Sequence, residues 1–157
     1  MTSDRWAVAR SLRDIAALLR LTGGAPVRAR AYERAAATLE RGDAELGPLL
    51  AAGRLKELPG IGRGLAAVIA ELYTTGRSKV LEALQERVPP GTLELNRVPG
   101  LGLTRIAALH AALGIESIDD LRAACEAGRV RGLPGIGEKT ERRFLQHIRT
   151  LAEPKRV

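Results

Sequence analysis

Apolar residues recur at helical spacing along almost the whole chain, and runs that alternate as strands do are nearly absent. In SDRWAVARSLRDIAALLRLTGG (3–24), Val8, Leu12, Ile15 and Leu19 share one face, Ser3 or Asp4 is placed to cap the start, and Gly23 can end the helix. RARAYERAAATLERG continues the pattern with Tyr32, Ala35, Ala36 and Leu39 on one side and Gly42 as the stop. A short helix around 47–53, GLAAVIAELYTTG up to Gly76, and KVLEALQERV follow. Pro89 and Pro90 then break the chain. Beyond them come TLELNR, LTRIAALHAALG, IDDLRAACEAG opened by a capping box of Ser117 and Asp120, and EKTERRFLQHIRTL. Trp6, Tyr32, Tyr73 and Phe144 are scattered, and they read as core anchors rather than base-stacking platforms.

The pattern predicts an all-α fold of two small helical subdomains divided at the double proline, one over 1–88 with four to five helices and one over 89–157. The length suits this, since 157 residues can bury real cores without staples. Cys125 has no partner in the chain and reads as a small packed helix residue. No stretch has the apolar length of a signal peptide or membrane span, so a soluble, cytoplasmic protein is expected.

The helices are joined by a repeated turn. KELPGIGRGL (56–65), NRVPGLGLTR (96–105) and RGLPGIGEKT (131–140) share an apolar residue, Pro, Gly, an apolar residue and Gly. Proline ends the preceding helix, the first glycine can take positive φ, and the second is expected to allow a close backbone approach that a Cβ would obstruct. Ile61, Leu101 and Ile136 should plug the gap between the helices. The glycines, Gly60 with Gly62, Gly100 with Gly102 and Gly135 with Gly137, leave backbone N–H groups at the start of the next helix. That is an anion site suited to phosphate. Arg63, Arg105 and Lys139 stand where a basic side chain would join it, with Thr104 and Thr140 as further donors. A Walker loop or a dinucleotide fingerprint would need a preceding strand and a different glycine spacing, and neither is present.

Charge strengthens the phosphate reading. The net +7 is spread over both halves, with 14 basic and 10 acidic residues in 1–88 and 11 and 8 in 89–157. Nucleic acid is the commonest large anionic partner for such a chain. His110 and His147 lie on predicted helices without a ligand cluster, so no metal centre is expected of them.

The turns resemble the helix-hairpin-helix motif at Leu58 to Gly62, Val98 to Gly102 and Leu133 to Gly137. That resemblance implies sequence-independent DNA binding through backbone amides and phosphates. It also implies a sodium or potassium ion on the hairpin carbonyls of Leu58, Ile61, Val98 and Leu101, and no other cofactor. From about residue 8 to 150 the chain is similar to the N-terminal region of X-family DNA polymerases, with 1–88 like their small N-terminal domain and 89–157 like the adjoining tandem of hairpins. In that family the first domain grips the 5′-phosphate side of gapped DNA. Tyr32, Lys56 and Arg28 match that pocket, and Gly64 stands where the family has a phosphate-contact lysine.

The chain stops before the family's polymerase palm and phosphoesterase domain, so nucleotide transfer is not expected. Val68 occupies the position of the lysine that some members use as a Schiff-base nucleophile, and valine offers no amine. The expectation is therefore a DNA-binding module without enzymatic activity, favouring nicked, gapped or 5′-phosphorylated DNA in repair, with DNA and other repair proteins as partners. The alternatives are a deoxyribose-phosphate lyase using a displaced lysine, Lys56 or Lys79, and a protein-interaction adaptor. Oligomeric state is not legible.

Overall fold

The structure, a computed structural model, describes residues 4–24, 26–42 and 45–152. Among these residues there are nine α-helices, two 3₁₀ turns and no strand: the fold is all-α. The chain divides into two compact units, residues 1–87 and 88–157.

In the first unit α1 (Arg5–Leu21) and α2 (Pro26–Arg41) lie antiparallel as a closely packed pair. Asp4 caps α1 by accepting from the Ala7 amide at 2.7 Å. Ser3, the other cap predicted for this helix, lies outside the described residues. The stripe Val8, Leu12, Ile15 and Leu19 is buried, as are Ala29, Tyr32, Ala36 and Leu39 on the helix packed against it. Small alanines on α2 let the two backbones come close, and that fixes the platform on which the rest of the unit packs. Arg13 with Glu40 and Arg20 with Glu33 bridge the pair at its surface. α3 (Leu46–Ala51) and a 3₁₀ turn, Leu55–Glu57, pack against α4 (Arg63–Thr75), and α4 and α5 (Lys79–Gln85) pack against α1. Gly76 in the left-handed region ends α4, and the Ser78 side chain caps α5.

The second unit holds α6 (Thr92–Leu95), α7 (Leu103–Leu113), α8 (Ile118–Glu126), a 3₁₀ turn Val130–Gly132 and α9 (Glu138–Ala152). Its core gathers Leu95, Val98, Leu101, Ile106, Leu109, Ile115, Leu121, Ile136, Phe144 and Ile148. Phe144 is its largest fully buried side chain, and truncation of such a residue to alanine typically costs about 3–5 kcal/mol. Gly91 opens the unit with φ +77°, and a Cβ there would meet the Glu116 carbonyl oxygen at 1.7 Å. Only glycine allows that approach.

Three expectations change. Trp6 is no core anchor: it is 55 % exposed, whereas Tyr32 and Phe144 are buried and Tyr73 is half-buried. It lies two positions, about 200° of helix, from Val8 and so falls off the buried stripe. The capping box at α8 is shifted by one residue. Ser117 accepts from the Asp120 amide at 3.0 Å, but the Asp120 carboxylate accepts from Glu116 rather than Ser117, also at 3.0 Å. The short third helix spans Leu46–Ala51 rather than reaching 53, because Gly53 takes φ +66°. Among the described residues no helix is long and apolar enough to cross a membrane.

Candidate nucleic-acid interface

The three repeated turns have one hydrogen-bond pattern. The 3₁₀ turn Leu55–Glu57, the end of α6 and the 3₁₀ turn Val130–Gly132 deliver the chain through Leu58 N–H to Leu55 C=O (3.1 Å), Val98 to Leu95 (3.0 Å) and Leu133 to Val130 (3.1 Å). Each turn then closes by an amide two residues past the proline: Ile61 to Leu58 (3.2 Å), Leu101 to Val98 (3.1 Å), Ile136 to Leu133 (3.1 Å). Proline at the second position and glycine at the third, with φ of +78°, +89° and +81° at Gly60, Gly100 and Gly135, are the requirements of a type II turn. Ile61, Leu101 and Ile136 are buried, at 4 %, 2 % and 4 % exposure, and anchor the turn in its own unit.

The second glycine does not admit the close backbone approach its sequence suggests. A Cβ at Gly62, Gly102 or Gly137 would meet nothing within 4 Å, so no internal contact requires glycine there. Gly62 and Gly102 have extended backbone, φ −93° and −89°, and stand as the caps of α4 and α7 with no side chain to fill the role. Helices α1, α5 and α8 are instead capped by the side chains of Asp4, Ser78 and Ser117. The first amides to bond within the hairpin helices are Ala66 to Gly62 (2.9 Å), Ile106 to Gly102 (3.0 Å) and Glu141 to Gly137 (3.0 Å). Among the described residues, the amides of Gly62, Arg63 and Gly64, of Gly102, Leu103 and Thr104, and of Gly137, Glu138 and Lys139 donate to no protein acceptor. Each hairpin thus presents an uncapped helix start, with its partial positive charge, and open space before it.

The first and third hairpins, the two most alike in sequence, differ in their surroundings. At the first hairpin Arg63 and Gly64 are exposed and follow the cap directly, and the Thr38 hydroxyl on α2 steadies the turn by donating to the Pro59 carbonyl at 3.0 Å. At the third, Glu138 occupies the first helical position ahead of exposed Lys139 and half-buried Thr140. Its carboxylate is drawn toward Arg142 (2.5 Å) and Arg131 (3.7 Å). Behind that turn the buried Glu141 carboxylate accepts from both the amide (2.8 Å) and Nε (2.9 Å) of Arg131, which raises the Arg131 pKa above its ordinary value. Burial, aided by the charges of Glu141 and Glu126, pushes the Cys125 thiol up to about 11, so it is a packed residue and not a thiolate.

Arg105 does something its sequence position does not reveal. Its guanidinium donates to the carbonyl of Gly100 at 3.1 Å and to that of Gly135 at 3.4 Å, linking the first glycines of the second and third hairpins. Thr104 beside it is exposed. Asn96 is a second residue the repeat alone does not single out: its side-chain Nδ2 donates to the Leu101 carbonyl at 2.9 Å. Lys56 and Arg131 occupy the equivalent positions of the other turns.

Residues 3–78 match the helix-hairpin-helix domain, and residues 92–150 match the SAM-like helix-hairpin-helix tandem. The chain carries two helix-hairpin-helix domains. It is similar to the DNA polymerase/3'-5' exonuclease PolX of Bacillus subtilis (strain 168), 40 % identical over 141 residues that cover 90 % of this chain. They cover 24 % of that relative, so this chain spans about a quarter of its length.

The remaining residues singled out from the sequence are not gathered in one hollow of this helix-hairpin-helix protein. Arg28 is exposed, Tyr32 has its ring in the α1/α2 core, and Lys56 is exposed beside an apolar hollow lined by Leu50, Leu55, Ala66, Ala67 and Ala70. Val68 is buried in the core face of α4. For a monovalent cation, the Leu58 and Val98 carbonyls each keep one lone pair beyond the turn hydrogen bond. The Ile61 carbonyl accepts no hydrogen bond among the described residues, whereas Leu101 is already engaged by Asn96, so the first hairpin fits such an ion better than the second. Among the described residues no group of three or more His, Cys, Asp or Glu is placed to hold a metal ion.

Proposed function

We propose that this chain binds DNA without regard to sequence, holding backbone phosphates at the starts of α4, α7 and α9, and that it favours gapped, nicked or 5′-phosphorylated DNA in repair. The observation that carries this reading is the open second glycine. Three helices begin with free amides and no capping side chain, although nothing in the fold prevents a capping residue there. A phosphate oxygen would satisfy those amides and meet the positive end of the helix dipole. Exposed Arg63, Thr104 and Lys139 add side-chain donors, and the similarity to a DNA polymerase/3'-5' exonuclease supports a DNA-directed role.

A sodium or potassium ion on the Leu58 and Ile61 carbonyls belongs to the same proposal, with the Val98 and Leu101 pair as the weaker site. The ion would supply positive charge beside the phosphate. We also propose that these residues act without lyase chemistry, because buried Val68 supplies no amine where the nucleophile would stand.

The test is a binding comparison of intact, nicked, gapped and single-stranded DNA across a salt series. With about three to five phosphates neutralised, the slope of log affinity against log salt on duplex DNA is about −3 to −4.5. A slope near zero, or no binding at low salt, ends this reading.

A further inference from the structure

One exposed feature lies outside the hairpins. Trp6, the single tryptophan of the chain, is 55 % exposed near the start of α1. It is not loose. The Arg5 guanidinium stands over its ring at 5.1 Å from the centroid, and the same side chain donates to the Gly42 carbonyl just past the end of α2. One side chain thus both covers the Trp6 ring by a cation–π contact and ties to the C-terminal end of α2.

That end of α2 also touches the first hairpin, through the Thr38 hydroxyl and the Pro59 carbonyl. Thr38 and Gly42 are four residues apart, about 6 Å along the helix, and the Gly42 amide donates to the Thr38 carbonyl at 3.0 Å. The tryptophan and the uncapped start of α4 thus hang from the same helix end. Arg10, one turn beyond Trp6 on α1, and Arg41 are exposed and add positive charge along this side. Of the acidic residues on this stretch of α1, Asp4 caps the Ala7 amide, and Asp14 is half-buried, its pKa raised by that burial although Arg10 acts to lower it.

We propose that Trp6 is a stacking platform for an unpaired nucleobase of DNA whose backbone is held at the first hairpin. This rests on the phosphate reading of that hairpin and adds to it the element that distinguishes substrates. An aromatic ring beside a basic track accepts a base face of any sequence. In intact duplex both faces of each base are covered by its neighbours, so only a gap, a flap or a single strand offers one. Arg5 fixes the ring before the base arrives, which lowers the ordering cost of the stack.

The experiment uses the full chain and reads Trp6 fluorescence, excited selectively over the two tyrosines, while the anisotropy of labelled DNA reports saturation. Gapped and single-stranded DNA quench Trp6 at saturation and intact duplex leaves it bright. Trp6→Ala weakens binding of gapped DNA by about tenfold or more, Trp6→Phe restores most of it, and neither changes affinity for intact duplex. Circular dichroism of both variants matches the parent, since the side chain is half in water. Saturation by gapped DNA without quenching, equal quenching by intact duplex, or equal loss of affinity on both substrates overturns the stacking role and leaves the phosphate reading in place. No binding to any DNA overturns both.

Discussion

The hairpin of the first unit and the two of the second are built from the same five-residue turn, yet they are supported in different ways. The first stands alone, steadied only from outside the turn by Thr38, and it is followed at once by Arg63 and Gly64. The second and third are joined by Arg105, which occupies carbonyls 35 residues apart in the chain, and Glu141 with Arg131 braces the third from behind. A linked pair presents two helix starts at a spacing already set, and the guanidinium between them is both tie and charge. One local motif therefore supplies one singly supported helix start and one linked pair.

The largest effect should come from closing the open caps. Gly62→Asp, Gly102→Asp and Gly137→Asp each place a carboxylate where the phosphate is proposed to sit, at positions with nothing within 4 Å of the new Cβ. Asp is also a favoured cap that suits the helix dipole, so folding stability should hold or rise slightly. Each substitution is expected to lower DNA affinity by about ten- to a hundredfold, the range of one hydrogen-bonded charged contact. Gly62→Asp should be the most damaging, because its unit has no second hairpin to compensate. Binding isotherms read beside thermal melts decide the matter. Affinity lost only in step with stability would mean these glycines serve folding alone.

A smaller effect separates tie from charge in the linked pair. Arg105→Met removes both, and Arg105→Lys keeps the charge while a single ammonium replaces the two-pronged guanidinium. If spacing matters, both variants lose about tenfold in affinity, and about 1 kcal/mol of stability is lost with the two carbonyl contacts. If charge alone matters, lysine restores the parent affinity and reports no preset pair. Titrations of Arg105→Lys against the parent at two salt concentrations distinguish these outcomes.

How far such contrasts could be read from the chain depends on the range of each interaction. The helices were legible because stripes such as Val8, Leu12, Ile15 and Leu19 carry a periodicity that neighbouring residues reinforce. The turn was legible because Leu-Pro-Gly-Ile restricts φ at two positions, and Gly60, Gly100 and Gly135 have the positive φ expected of them. The tie of Arg105 to Gly135 was not, since nothing local marks a carbonyl 30 residues away as its partner. Trp6 was misread from residue type when its position already argued otherwise: it falls off the buried stripe, and the angle should have outweighed the identity. The second glycine was misread for a related reason. Absence of a side chain looks the same in sequence whether it admits the protein's own backbone or something from outside.

The smallest predicted effect bears on why the third hairpin, nearly a copy of the first in sequence, should bind more weakly. Where the first has Arg63 after its cap, the third has Glu138, a carboxylate at the mouth of the helix start. That acid suits the helix dipole in the free protein but repels a phosphate approaching the same amides. Arg142 and Arg131 draw its charge aside without removing it. Glu138→Gln keeps the size and removes the charge, so affinity should rise by about two- to fivefold at low salt, the range of one exposed charge interaction, with the gain fading as salt increases. Glu138→Arg, which makes the third hairpin imitate the first, should add to the gain and steepen the salt slope by about one unit if one more phosphate is engaged. An unchanged affinity and slope in both variants would place the third hairpin outside the DNA contact, leaving Arg105 to brace the second hairpin against a purely structural neighbour.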